Sequence, residues 1–365
     1  MLRTNVAELK TELVAVPSSA PLTKVVGTLR KRNAYEAFIV DDAKITMVSI
    51  RDILRAKHVH SSKASSLAVQ IPKLAAENPV ALAATLMTEY RVRALPLGDE
   101  SGVIGEVTAL SICKALRSAK GLSFTISKVM TSHPITLRLD DPLAKAKILI
   151  NRRNIDHLPV LQDGKILGVV TSRRLLDSMI PPERPMKYGW RPEARALNRL
   201  SIRGMMERPL MCDVSERASS VLNRLIDQNK SYALVGIGEE LQGIVTYRDF
   251  VKLLARRVKT MVPVYMVGLP DQPFEAQAAR TKFTRAVNLL RRSYPEIMEA
   301  RCTIKTSSPG GKKGRRRYEV KAFVYTPHRM FVHSESGWDL ASIFDVISDR
   351  LKRATTRAPR PRRER

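Results

Sequence analysis

His157-Leu158-Pro159-Val160, a turn at Asp163-Gly164, and then Gly168-Val169-Val170-Thr171-Ser172-Arg173-Arg174-Leu175-Leu176 form the stretch from which the rest of the chain is read. Two short apolar runs separated by Asp-Gly predict a β-hairpin. The second run ends on a Thr, the residue type that caps a helix, and Leu175 and Leu176 then begin an amphipathic helix. Upstream, Leu143, Ala146, Ile148 and Leu149 recur at helical spacing. The stretch therefore predicts the unit β-α-β-β-α.

The same unit is found three more times. The first copy has Ala37-Phe38-Ile39-Val40, then Ile45 to Ser49 and Ile50-Arg51-Asp52-Ile53-Leu54. The second has Ala94-Leu95-Pro96-Leu97, then Gly105-Glu106-Val107-Thr108 and Ala109-Leu110-Ser111. The fourth has Tyr232-Ala233-Leu234-Val235, then Gly243-Ile244-Val245-Thr246 and Tyr247-Arg248-Asp249-Phe250. Repeats are thus expected at 1–60, 61–121, 122–182 and 201–259, with 183–200 a linker rich in proline, which cannot continue a helix.

After the fourth repeat the pattern changes. A strand is predicted at Val264 to Val267, a long helix within Phe274 to Ser293, strands at Ala300 to Thr306, Tyr318 to Tyr325 and Arg329 to His333, and a helix from Asp339 to about Arg353. This β-α-β-β-β-α domain spans 260–355, and 356–365 reads as a disordered basic tail. The whole is α/β and α+β, multidomain, with four repeats forming two paired modules.

The repeated strand, G-x-V-T and helix sequence resembles the CBS domain, named after cystathionine β-synthase, over about residues 1–258. The resemblance implies paired repeats, first with second and third with fourth, the option of a homodimer through these modules, and an adenine nucleotide (AMP, ADP or ATP) in the clefts. In that family the aspartate of a T-x-x-D motif holds the ribose hydroxyls, which implies Ser49 with Asp52, Thr246 with Asp249, and Thr171 as nucleotide-binding residues. Physically, a helix N-terminus offers free N–H groups to a phosphate. The same pattern is also an ordinary capping box. Ser111 and Arg174 replace the acid in the second and third repeats, and Thr246 with Asp249 is preferred over Ser49 with Asp52.

The formal net charge is +28, and residues 260–365 hold 22 Lys or Arg against 10 Asp or Glu. A surplus focused in this way attracts polyanions. Lys282, Arg285, Arg291 and Arg292 share the long helix, Lys312, Lys313, Arg315, Arg316 and Arg317 crowd a hairpin loop, and Lys321 follows. Together they read as a phosphate-tracking RNA surface. The element order, the Pro295-Glu296-Ile297 break and Trp338-Asp339-Leu340-Ala341-Ser342-Ile343 resemble the ribosome hibernation promoting factor family. That resemblance implies the small ribosomal subunit and its ribosomal RNA as partner. A solvated charge run is the plain alternative.

Other classes find little support. No apolar run is long enough for a membrane span, so a cytoplasmic protein without a membrane partner is expected. Cys113, Cys212 and Cys302 are too few and too scattered for a disulfide framework or a zinc site. The six histidines lack metal spacing or a partnered nucleophile, so no enzyme and no required cofactor is expected. The leading expectation is a non-catalytic, nucleotide-modulated factor that holds ribosomes inactive. A nucleotide-responsive regulator of DNA or other RNA remains the alternative.

Overall fold

The computed structural model describes residues 4–41, 44–56, 58–99, 102–119, 121–180, 201–255, 262, 264–270, 272–294, 297–307, 316–326 and 330–356. The linker at 183–200, Lys312, Lys313, Arg315 and the tail after 356 lie outside the described residues, as does the side chain of Arg292. The chain divides into two compact parts, Met1–Val258 and Lys259–Arg365.

In the N-terminal part four hairpins each follow one helix and lead into another. Helices α1 (Leu22–Lys31) and α2 (Ile50–Arg55) flank Glu36–Asp41 and Lys44–Ser49. α3 (Val80–Tyr90) and α4 (Ala109–Ser118) flank Ala94–Asp99 and Gly102–Thr108. α5 (Leu143–Arg153) and α6 (Ser172–Met179) flank His157–Gln162 and Lys165–Thr171, and α7 (Ala218–Asp227) and α8 (Tyr247–Lys252) flank Tyr232–Ile237 and Glu240–Thr246.

Each second strand stops because its last residue turns the chain into a capped helix. Ser49, Thr108 and Thr171 accept from the N–H three residues on, at 3.2, 3.0 and 3.2 Å. The first helical N–H then reaches back to the residue before the hairpin: Ile50 to Tyr35, Ala109 to Arg93, Ser172 to Asp156 and Tyr247 to Ser231. Those four residues are therefore equivalent positions. The pairing also moves the first copy by one residue: Glu36, rather than Ala37, lies opposite Ser49, as Ala94 lies opposite Thr108 and His157 opposite Thr171.

Strand exchange joins the repeats in pairs. Lys10–Thr11 pairs with Gly102–Thr108 in the second repeat, and Val69–Gln70 pairs with Lys44–Ser49 in the first. Thr131–Ser132 pairs with Glu240–Thr246, and Glu207 bridges Val169. Helices then pack pair against pair: α2 meets α5 and α6, and α4 meets α7 and α8. One core results from the first and third repeats, with Leu22, Ile53 and Leu54 beside Leu143, Ile150, Leu175 and Leu176. Each such side chain contributes about 1.5–3 kcal/mol of burial.

The four equivalent positions converge. The Arg93 guanidinium lies 3.6 Å over the Tyr35 ring and 3.1 Å from Asp156, and the Tyr35 hydroxyl is 3.3 Å from Ser231 Oγ. Burial would raise the carboxyl of Asp156, but Arg51 and Arg93 hold it well below the usual carboxylate range. Burial, reinforced by Arg93, pushes the His157 imidazole down to about 3.

The C-terminal part is one four-stranded sheet, in the order Val264–Val267, Glu299–Ser307, Arg317–Tyr325, Met330–Gly337. The first pair is parallel, as the crossover through α9 (Pro273–Ser293) requires, and the others are antiparallel. Period-two alternation sorts the faces: Tyr318, Val320, Ala322 and Val324 are buried, whereas Arg317, Glu319 and Lys321 are exposed. The buried face carries α9 and α10 (Leu340–Thr356), with Phe283 and Phe344 ring centroids 5.8 Å apart. Gly268 has φ 75° and sits where a Cβ would be 2.1 Å from the Ile304 carbonyl oxygen, so glycine is required. The last strand runs to Gly337, four residues past the expected end, because Ser334 to Ser336 continue to pair with Lys321 to Glu319.

Candidate functional site: a basic cleft between repeats three and four

Thr246 and Asp249 begin α8. Asp249 Oδ2 accepts from the Thr246 N–H at 2.8 Å and from its hydroxyl at 2.7 Å, the reciprocal half of a capping box. Among the described residues, Oδ1 accepts from the Thr131 hydroxyl alone, at 3.3 Å. This carboxylate oxygen edges a cleft of about 400 Å³ whose walls include Thr131, His133, Ile135, Asn154, Thr246 and Arg248. Strand exchange explains the location, because Thr131 pairs with Ile244 in the neighbouring repeat.

The cleft is electropositive. Arg91 comes from the second repeat, Arg153 from the end of α5, and Arg248 and Lys252 from α8. Arg248 is half-buried and has no hydrogen bond or ion pair among the described residues. Burial and the neighbouring cations Arg51, Arg93 and Arg91 push its guanidinium down to about 10, with only Asp156 opposing them. A hollow lined by an unneutralised guanidinium and by a carboxylate in the first turn of a helix can hold a phosphate and a diol together.

The sequence-predicted residues are not equivalent. Ser49 and Asp52 are both buried, and Asp52 accepts from the Ser49 N–H at 3.0 Å and from its hydroxyl at 2.5 Å. Its other oxygen meets Arg55 at 3.4 Å, and Arg55 continues to the carbonyl oxygen of Asn151. Here α2 packs on α5, and the carboxylate serves as a buried cap, unlike the half-buried Asp249. Thr171 is buried, caps α6 and lines a second cavity of about 310 Å³.

The RNA-binding set is likewise divided. Lys282 is tied to Asp345 at 2.5 Å, so it turns toward α10 and not outward with Arg285. Arg285 instead belongs to a polar strip on α9 with Gln277, Arg280, Thr281, Thr284 and Asn288. Arg291 is half-buried. Arg316 and Arg317 are exposed at the start of the third strand, where Arg317 donates to Ser336 Oγ at 3.1 Å. Lys321 lies on the opposite face of the sheet from the helices, 5.4 Å over the Phe323 ring. Sequence reasoning missed Arg248, Arg91, Arg153, Thr131 and Arg280. Arg248 could have been found from its position inside the Thr-x-x-Asp motif, whereas Arg91 and Arg153 enter only through tertiary packing.

Among the described residues no group of histidine, cysteine and carboxylate side chains could hold a metal, and no helix is long and apolar enough to cross a membrane.

Comparison with known proteins agrees with this geometry. The CBS domain model matches residues 68–118, 126–180 and 201–256. The uncharacterized protein MJ1404 of Methanocaldococcus jannaschii is 27% identical over 343 residues, which cover 91% of this chain and 80% of that protein. L-aspartate semialdehyde sulfurtransferase of the same organism is 32% identical over 105 residues, 28% of this chain and only 20% of its own length. Among solved structures, protein MJ1225 of M. jannaschii, a suggested archaeal homolog of g-AMPK, superimposes with a TM-score of 0.62 at 16% identity, over 69% of this chain and 100% of that one. That likeness is one of fold. The first repeat lies outside the matched ranges, yet α1, its hairpin and α2 follow the same order. Three segments in succession thus match the CBS domain, and their hairpins are built alike.

Proposed function

We propose that this chain is a non-catalytic regulator that binds an adenine nucleotide in the cleft of Thr131, Thr246 and Asp249 and engages the small ribosomal subunit through its basic C-terminal part. The observation that carries the first half is that Asp249, whose Oδ1 accepts from the Thr131 hydroxyl at 3.3 Å, and an unneutralised Arg248 line one cleft. A nucleotide supplies what each lacks: hydroxyls to donate to the carboxylate and a phosphate to neutralise the guanidinium. The second half is supported by two separate basic groups suited to phosphates, the Arg280 and Arg285 strip on α9 and the exposed Arg316 and Arg317 at the start of the third strand. Modulation follows if the nucleotide prefers one arrangement of the repeats over another.

Calorimetric titration of the full chain with AMP, ADP and ATP tests the cleft: Asp249→Asn should weaken binding at least tenfold while Asp52→Asn leaves the stoichiometry unchanged. Sucrose-gradient sedimentation of extract tests the partner. Wild type should travel with the small subunit, and Arg280→Glu with Arg285→Glu should release it. If wild type stays at the top of the gradient, ribosomes are not the target and DNA or free RNA becomes the leading partner.

A further inference from the structure

One end of the C-terminal sheet gathers the last residues of its first, second and fourth strands, the first residues of its third, and the starts of α9 and α10. That end carries the two most exposed large apolar side chains among the described residues, Phe274 at 86% and Trp338 at 60%. A short chain of contacts links them. Phe274 precedes Glu275, whose carboxylate accepts from the Tyr318 hydroxyl at 3.0 Å, and Tyr318 lies opposite Gly337, the residue before Trp338. Neither ring meets another ring or a cation among the described residues.

The surroundings decide what such rings can serve. A protein partner is met by a contiguous apolar surface, but the other exposed apolar side chains of this part are dispersed. Met330 and Val332 lie toward the opposite end of their strand, Leu289 near the far end of α9 and Val346 within α10. What adjoins the rings is positive charge. Arg316 and Arg317 are exposed and have no ion pair among the described residues, and Arg317 donates to Ser336 Oγ, two residues before Trp338. The carboxylates at this end are engaged or matched: Glu275 by Tyr318, Asp339 by the N–H groups of Ala341 and Ser342, and Glu319 by its place opposite Lys305 in the strand register. Separate aromatic rings beside unpaired guanidinium groups fit a polymer that offers flat apolar faces at intervals along an anionic backbone. In a duplex those faces are stacked on one another, and only backbone and groove edges are presented.

We propose that this end of the C-terminal part binds single-stranded RNA, with unpaired bases stacking on Trp338 and Phe274 and the phosphates between them meeting Arg316 and Arg317. The site rests on the RNA half of the function proposed above and narrows it to unpaired segments. A ring stacks on any base, so sequence preference should be weak.

The test is fluorescence anisotropy of the full chain with a short labelled RNA strand that cannot fold on itself, alone and annealed to its complement. Trp338→Ala and Phe274→Ala should each weaken single-strand binding about 5- to 100-fold, the loss of one base stack, and leave duplex binding within about twofold. Both side chains are exposed, so neither variant removes core packing. Arg316→Ala with Arg317→Ala should weaken both kinds of binding. In Trp190→Phe, Trp338 is the remaining tryptophan, and its emission should be quenched by the single strand and not by the duplex. If wild type binds the single strand but both aromatic variants bind it as tightly, or the emission of Trp338 does not change, the stacking site is overturned while RNA binding stands. If wild type binds neither RNA, the RNA reading itself fails and this site with it.

Discussion

Replacing Arg248 by methionine should make the empty protein more stable and its nucleotide complex weaker, a change of opposite sign in two measurements on one variant. The guanidinium is pushed from 12.5 down to about 10. At about 1.4 kcal/mol per pH unit, a shift of this size is on the order of 3 kcal/mol of unfavourable interaction with the folded state. Water in the cleft screens part of this and methionine keeps the packing of the stem, so about 1–2 kcal/mol of stabilisation should remain. Urea unfolding of nucleotide-free protein reads it as a higher midpoint at unchanged slope. Calorimetry with ADP should show a loss of about 1.5–3 kcal/mol, the value of a hydrogen bond to a charged group, or about 10- to 100-fold in affinity. If the empty variant is instead less stable than wild type, Arg248 has a structural partner and the account of the cleft is wrong.

Asp156→Ala removes a buried carboxylate that pairs with Arg51 and Arg93, and chemical unfolding should report a loss of about 3–5 kcal/mol. Burial raises Glu36 and Glu106 from 4.5 to about 7, so the folded state binds their protons more tightly than the unfolded. Their contribution is whole below the unfolded value and is lost as pH rises through about 7, up to about 3 kcal/mol for each, and Glu36→Gln with Glu106→Gln should flatten this decline in a pH series of unfolding midpoints. His157 acts in the other direction: its imidazole, lowered from 6.5 to about 3, favours the folded state above the unfolded value and withdraws that support as pH falls. On α9, Arg285→Ala should weaken RNA binding similarly for unrelated sequences and reduce the salt dependence by about one charge, whereas Lys282→Ala, whose ammonium is held by Asp345, should change it little.

The repeats were legible because their signal is local. A hairpin turn, a strand ending in Thr and the apolar spacing of the next helix lie within about twenty residues, and backbone chemistry links them directly. The order of the C-terminal elements was legible for the same reason. What escaped was whatever depends on packing between repeats. Nothing beside Ser49 and Asp52 says that α5 will pack on their helix and that Arg55 will reach Asn151, although the four-residue motif there is as good as the one at Thr246. Lys282 and Arg285, three residues apart, read as one surface until Asp345 on α10 claims the first. Glu36 and Glu106 were passed over because each sits in a strand of another repeat and they share a cavity only in three dimensions.

The convergence of Tyr35, Arg93, Asp156 and Ser231 has a consequence for how such a particle can be built. Were the same particle made by two identical chains of two repeats each, its two-fold axis would set every residue at the centre against its own copy, arginine against arginine or aspartate against aspartate. Joining four repeats in one chain removes that constraint. Each corner can differ, and a cation can be placed against an anion. Covalent linkage here is a means of breaking symmetry: it lets Tyr35 of the first repeat differ from Asp156 of the third, and Arg93 of the second from Ser231 of the fourth, where a two-fold axis would make each pair identical.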